Sequence, residues 1–458
     1  MLGVLGVVLG VGGCQSYHPK PLDAAAVNRA LTVPADDVLT QRAGLLDHPI
    51  LRPIVLDDRD GLSPDEAAVL AVLLNPSLRT LRDAQGIAAA QTIEAGLLPN
   101  PVLSASLGTP TGGDTAGAVN PYGFGLSWDI TSLIGRQQRI DAADASGKAI
   151  NLDIAWREWQ TAQAARLVVM DLLIVQEKFA LTRRIEEHAR QQVEMLDKAL
   201  AQGQVTSQTL ASVRHIHDDW KAQRLTLEQD AASRRINLNT LLGLPAERVV
   251  TLDAQSVRDA MMQLPDPKVL RAGLESRRLD LLALHRVYDS KDAALRAAVL
   301  SQFPRISIGF EHARDTDTVQ TTGLGVSIDL PIFDRGQGRI ARARAQRLGV
   351  FDEYTSRVLT ARNDVARLVQ TIDLIDTRLA EAERVEQERS ALVDRLMRAA
   401  ERNESPRDQV LNASIEQARS EIEIASLRGE RFHTLVALEL ASGLPMMQPG
   451  NDERNAAP

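Results

Sequence analysis

The sequence predicts a mixed α and β protein built from two tandem repeats, each a β-hairpin followed by very long antiparallel helices. Three observations predict it. First, the chain is written twice: Leu242-Gly243-Leu244-Pro245 recurs as Ser442-Gly443-Leu444-Pro445. The same offset carries Gly125-Leu126-Ser127-Trp128-Asp129 onto Gly325-Val326-Ser327-Ile328-Asp329, and Arg139-Ile140 onto Arg339-Ile340. A unit of about two hundred residues is too long for a solenoid repeat. Second, each copy holds a segment whose apolar residues alternate with small or polar ones. Third, each copy holds a run free of Gly and Pro, 55 residues over 148–202 and 56 over 350–405.

At the N-terminus, Met1 to Val11 is apolar and ends at Gly12-Gly13-Cys14, where small residues precede the only cysteine. This reads as a lipoprotein signal over 1–13, with lipid on the Cys14 thiol. Gln15 after it, rather than Asp, favours the outer membrane under the lipoprotein sorting rule. No Lys or Arg precedes the apolar stretch, which departs from the usual basic n-region and points to an upstream start. A single cysteine forms no internal disulfide. From 14 to 60 the chain is rich in Pro and Asp without a sustained period, and an irregular segment is expected.

The first repeat is expected over 61–245. Ser63 can cap a helix, Pro64 suits its first turn, and Asp65 and Glu66 suit its positive end. After a second helical stretch, Pro99 and Pro101 end the pattern. A hairpin follows over 102–130. In it Phe124, Leu126 and Trp128 alternate with Gly125, Ser127 and Asp129, giving one apolar and one small or polar face. A solvated sheet face usually carries Lys, Glu or Thr; Gly and Ser there suit a transmembrane barrel better. The long helix is set at 136–202 and would span about 80 Å or more. Apolar Leu181, Ile185, Val193, Leu196 and Leu200 recur at three-to-four spacing, so a bundle or tube is expected. The return helix is set at 206–242. After a linker over 246–263, the second repeat is expected at 264–445, with hairpin 305–332, long helix 337–402 and return helix 407–442. A disordered tail is expected over 446–458.

Four strands do not close a membrane barrel, and open strand edges are not tolerated in lipid. Strands of this kind therefore require several copies. The chain resembles the TolC-type outer membrane factors, the exit ducts of tripartite efflux and type I secretion systems, in their lipidated branch. The resemblance rests on Leu97-Leu98-Pro99-Asn100-Pro101 before the first strand and on Asp329-Leu330-Pro331-Ile332-Phe333-Asp334-Arg335-Gly336 after the fourth. The paired turns and the Gly-Leu-Pro that closes each copy add to it. It implies a homotrimer: a 12-stranded transmembrane β-barrel in the outer membrane, continued by a periplasmic α-helical barrel. It implies a passive duct for small molecules, driven by an inner-membrane pump and joined to it by a periplasmic adaptor protein. The barrel lumen would be lined by Ser127, Asp129, Arg305, Glu311, Ser327 and Asp329. Phe124, Leu126, Trp128, Ile306, Ile308, Phe310, Val326 and Ile328 would face lipid. Gly203, Gln204, Val205, Thr206, Ser207, Asn403, Glu404, Ser405 and Pro406 would form the periplasmic tip that meets the adaptor. Relatives close the tube with aspartates past the second turn; those positions fall on Gln409 and Asn412, with Asp408 beside them. Amides there imply closure by hydrogen bonds rather than by a carboxylate ring.

No enzyme signature stands in the chain. There is no Walker loop, and Gly123-x-Gly125 and Gly336-x-Gly338 lack the rest of any phosphate fingerprint. His215 and His217 sit two apart on a helix and read as surface residues. The pairs Met261-Met262 and Met446-Met447 read as packing residues. No cofactor and no metal site are expected. The formal charge of −8 argues against a nucleic-acid partner. The alternative to a duct is a lipid-anchored periplasmic coiled-coil scaffold without a pore, whose strands would pack on its helices.

Overall fold

The computed structural model describes residues 16–56, 59, 61–254, 264–402, 404 and 406–446. The expectations for the signal segment, Cys14, residues 255–263 with Met261 and Met262, Asn403, Ser405 and the tail from Met447 onward lie outside them.

Each repeat enters through short helices, forms two strands, and leaves through two long helices. The first comprises α3 (Pro64–Leu74), α4 (Pro76–Gly96), β1 (Val102–Leu107), β2 (Tyr122–Asp129), α5 (Arg136–Ala201) and α6 (Ser207–Leu241). The second comprises α7 (Pro267–Arg271), α8 (Leu274–Arg277), α9 (Leu279–Leu300), β3 (Ile306–Arg314), β4 (Gln320–Ile328), α10 (Gln337–Glu401) and α11 (Arg407–Ser442). A capping box opens α3: the Ser63 amide donates to Glu66 (2.9 Å), and the Glu66 amide donates to the Ser63 hydroxyl (3.2 Å). Both return helices end alike. Gly243 (φ +62°) and Gly443 (φ +70°) take the left-handed conformation that glycine adopts without strain.

The segment 14–60 is not wholly irregular. It carries α1 (Ala24–Leu31) and α2 (Asp36–Gly44). Asp23 caps α1 by accepting from the Ala26 amide at 2.7 Å, and Asp36 and Asp37 sit in the first turn of α2. Two-turn helices are too short to show a sustained period. Buried His48 ties the segment to α5: its Nε2 meets the Ala155 carbonyl at 2.9 Å, and its Nδ1 accepts from the Ile50 and Leu51 amides. Burial pushes the pKa of this imidazole down. The described part of the linker pairs with Leu62, whose amide donates to Thr251 at 2.8 Å.

Helix α5 has 66 residues and α10 has 65, lengths of about 100 Å at 1.5 Å per residue. Near the sheet α5 packs between α4 and α9; farther away it packs between α6 and α11. Helix α10 packs on α9 and then on α11. The four-helix layer therefore keeps two members throughout and exchanges the other two midway. The main cores lie at this exchange. Ala67, Ala71, Val169, Leu172, Leu238 and Leu242 join α3, α5 and α6. Leu270, Leu274, Val365, Ile372, Phe432 and Leu435 join α7, α8, α10 and α11. At Gly429 an added Cβ would stand 2.7 Å from Ile174 Cδ1, so α11 meets α5 closely enough that a side chain there would displace the end of Ile174.

A polar network crosses the same level. Glu439, fully buried, accepts from Gln163 Nε2 (2.5 Å) and Arg166 Nη1 (2.8 Å), and its other oxygen accepts from the Met446 amide (2.5 Å). Arg166 also reaches Asp65 at 2.6 Å. Burial raises the Asp65 pKa while Arg166 opposes the shift. One carboxylate thus joins α11 to α5 and, through Arg166, to α3. Removing it leaves a guanidinium and an amide buried with reduced pairing. Glu439→Ala is expected to cost about 3–5 kcal/mol and to lower the melting temperature of the detergent-purified protein. A shift within measurement error would mean that the network contributes little.

Candidate functional site

The four strands form one antiparallel sheet in the order β1-β2-β3-β4. Its register brings Leu126 against Phe310, Phe310 against Leu324, and Ile308 between Trp128 and Val326. Leu103, Leu107 and Phe124 share that face. The other face carries Ser104, Ser106, Gly123, Gly125, Ser127, Asp129, Ser307, Gly309, Glu311, Gly323, Gly325 and Ser327, with Val102 its one large apolar member. The sheet is thus split into an apolar face and a small or polar face. Ser127, Asp129, Glu311 and Ser327 lie on the second. Arg305 and Asp329, expected within strands, lie just outside the ends of β3 and β4. They continue the pairing, since the Asp329 amide donates to the Arg305 carbonyl at 2.9 Å.

No helix packs along either face among the described residues. Leu107, Leu324 and Val326 are 81%, 88% and 67% exposed. Toward the hairpin loops the apolar face turns polar: His312 meets Thr322 at 2.8 Å, and the Arg314 guanidinium lies 4.8 Å from the Tyr122 ring centre. At the helical end Trp128 Nε1 donates to the Pro99 carbonyl at 2.9 Å. β3 and β4 have nine residues each, the length of a membrane-crossing strand. β1 is shorter, with six residues; beyond Leu107 the Gly108 amide still donates to the Pro121 carbonyl at 2.9 Å, and Pro121 has no N–H to return the bond. Among the described residues, the outer edges of β1 and β4 have no strand partner.

At the opposite end, α5 turns into α6 through Gly203 (φ +71°), with the Gln204 amide donating to Ala199 at 2.9 Å. The second turn repeats this bond two hundred residues on: the Glu404 amide donates to Ala399 at 2.8 Å. Thr206 caps α6 by accepting from the Thr209 amide at 3.2 Å. Val205 is half-buried; Gln204, Ser207, Glu404 and Pro406 are exposed. Asp408 lies in the first turn of α11, and Asn412 lies one turn on, on the same side of the helix. Gln409 sits between them in sequence. All three are exposed, while neighbouring Leu411 and Ile415 are buried against Ile185, Val213 and Trp220. The structure therefore brings the three together on one exposed flank near the tip.

Sequence reasoning missed the contacts that join the two coiled hairpins. Arg184 of α5 reaches Glu421 of α11 at 2.5 Å. Higher up, Asp171 of α5 accepts from His433 of α11 (2.5 Å) and from Arg234 of α6 (2.6 Å). Lys178 stands near this group, its pKa lowered by burial. Glu439 is marked in the sequence as a lone acid in the apolar run Leu435 to Ala441. His433 carries no such mark, since its partners are remote in sequence. Among the described residues no group of three or more His, Cys, Asp or Glu is placed to hold a metal. His215 is exposed, and His217 is half-buried beside Asp218.

The hydrogen bond to Asp171 raises the His433 pKa above its ordinary 6.5. The protonated form is therefore favoured in the folded chain. Its contribution is complete below the ordinary pKa and is lost as pH rises through the raised one. The melting-temperature gap between the wild type and His433→Gln is expected to be widest below pH 6.5 and to close above the raised value. A gap independent of pH would assign His433 a packing role alone.

No family model matches the chain. It is 26% identical over 272 residues to the pyoverdine export outer membrane protein OpmQ of Pseudomonas aeruginosa, covering 57% of each chain. It is 26% identical over 232 residues to the cobalt-zinc-cadmium resistance protein CzcC of Cupriavidus metallidurans, covering 50% of this chain and 54% of that one. The matches thus span little more than half the length of these relatives. Among solved structures, the outer-membrane channel OprN superposes with a TM-score of 0.69 at 19% identity, over 89% of this chain and 96% of that one. The Campylobacter jejuni CmeC outer membrane channel gives 0.69 at 16%, over 90% and 93%. CusC gives 0.67 at 16%, over 84% and 94%. At these identities the superpositions establish the fold.

Proposed function

We propose that this chain, an outer membrane factor of the TolC type, is the passive exit duct of a tripartite efflux system. One observation carries the reading: a sheet with an uncovered apolar face and two open edges. In water the apolar face would be unfavourable. In lipid the open edges would leave backbone groups unpaired. Both problems vanish if β4 of one copy pairs with β1 of the next around a closed ring. Three copies make a 12-stranded barrel, with the apolar face toward lipid. Ser127, Asp129, Arg305, Glu311, Ser327 and Asp329 then line the lumen, and the long helices extend the duct across the periplasm.

In this reading the turns at 203–207 and 403–406 meet a periplasmic adaptor, and an inner-membrane pump supplies the energy. Asp408, Gln409 and Asn412 face the threefold axis and narrow the aperture. Cys14 carries the lipid anchor. Cargo selection is assigned to the pump: relatives named for pyoverdine export and for cobalt-zinc-cadmium resistance align with the same chain. A scaffold without a pore would require the apolar face to be packed on helices, and among the described residues no helix is packed along it.

Detergent-purified protein is expected to run as a trimer and to give discrete conductance steps in a planar bilayer. A water-soluble protein without channel activity would overturn the duct. In the same bilayers, Gln409→Ala and Asn412→Ala are expected to raise the closed-state current several-fold. An unchanged closed-state current would remove both amides from the aperture.

A further inference from the structure

Where the sheet gives way to the helices, apolar side chains stand exposed at every crossing. Leu97 precedes β1, Leu133 and Ile134 follow β2, Phe303 precedes β3, and Ile332 and Phe333 follow β4. Phe333 is 91% exposed. Beyond the two exits come arginines. Arg136 and Arg139 follow β2; Arg335, Arg339, Arg342, Arg344 and Arg347 follow β4. Residues 335–351 contain these five arginines and no carboxylate, and residues 131–140 contain two arginines and no carboxylate.

Their partners leave much of this charge uncompensated. Arg339 pairs with Asp334 at 2.9 Å and Arg347 with Asp292 at 2.8 Å. Arg136 and Arg139 donate to the neutral carbonyls of Gly96 and Ser132. Arg335, Arg342 and Arg344 are exposed and have no carboxylate within ion-pair distance among the described residues. Farther along the same helices the arrangement differs. Arg190 pairs with both Glu187 and Glu194, and Arg384 with both Glu381 and Glu388.

An apolar rim followed by cationic side chains is the order met on passing from hydrocarbon to phosphate at a membrane surface. Arg342 and Arg344 lie about 10 Å beyond Gly336 along the axis. A headgroup layer of about 5–8 Å and the reach of a snorkelling arginine span that distance. Arg342 and Arg344 stand two apart on α10, either side of half-buried Ala343, so one of the pair is directed to the outer surface. We propose that Arg335 and the outward member of that pair, with Arg136 and Arg139 at the exit of β2, bind the phosphates of anionic phospholipid in the periplasmic leaflet. The contact fixes the depth of the barrel in the membrane. It rests on the barrel reading given above.

Trp128 reports on this contact, because it stands on the apolar face at this end, whereas Trp156, Trp159 and Trp220 are buried among helices. The full chain is placed in phosphatidylcholine vesicles containing either brominated phosphatidylglycerol or brominated phosphatidylcholine, and tryptophan quenching is compared. The wild type is expected to favour the brominated phosphatidylglycerol, and added salt to weaken that preference. The triple variant Arg335→Gln/Arg342→Gln/Arg344→Gln is expected to lose about fivefold or more of it, the scale of one or more interfacial arginines, while still forming channels. Equal quenching by both lipids in a conducting wild type would overturn the inference and leave the duct standing. A conducting variant that keeps the lipid preference but changes ion selectivity would place the arginines in the lumen and also overturn it. Absence of conductance in the wild type would instead remove the duct reading, and this inference with it.

Discussion

Every backbone amide in a membrane-crossing strand needs a partner inside the protein, because hydrocarbon offers none. The sheet meets this need only between its own four strands. Among the described residues its outer edges remain open, and its apolar face has no helix along it. Further copies of the same chain supply the missing partners in the proposed duct. The remaining architecture is compatible with that closure. Small residues on the second face leave room in a lumen, and the strands pass into helices at a single end.

The long helices meet a different constraint. A helix of 66 residues has a mean stripe too long to be buried by one partner. Helix α5 is covered by α4 and α9 along one part and by α6 and α11 along the other. The exchange point carries two of the hydrophobic cores and the Glu439, Arg166 and Asp65 network. Beyond it the two coiled hairpins meet through the buried cluster of Ile185, Val213, Trp220, Leu411 and Ile415, with Arg184 and Glu421 partly exposed at the junction. Such pairs contribute little stability.

The buried polar groups among the described residues serve joints between helices. The named relatives are export and resistance proteins and channels rather than enzymes. Pseudo-symmetry reaches individual bonds: Gln204 to Ala199 repeats as Glu404 to Ala399. It fails at Asn239 and Glu439, equivalent in position and both fully buried. The first binds the carbonyls of Pro245, Ala246 and Arg248; the second binds Arg166 and Gln163. The two repeats thus use one buried site for different connections.

Sequence by itself determined what depends on local period and length. Alternation along Tyr122 to Asp129 marks a strand because successive side chains point to opposite faces. Uninterrupted runs without Gly or Pro mark long helices because no residue stops them. The repeat offset placed corresponding elements and their turns. The helices α1 and α2 escaped because two turns do not establish a period. Tertiary structure alone decided which remote residues meet. His433 finds Asp171 across 262 positions and Glu439 finds Arg166 across 273, distances over which periodicity carries no information. It also decided that the two hairpins join as one sheet through β2 and β3, since strand pairing is fixed by the backbone geometry of both partners.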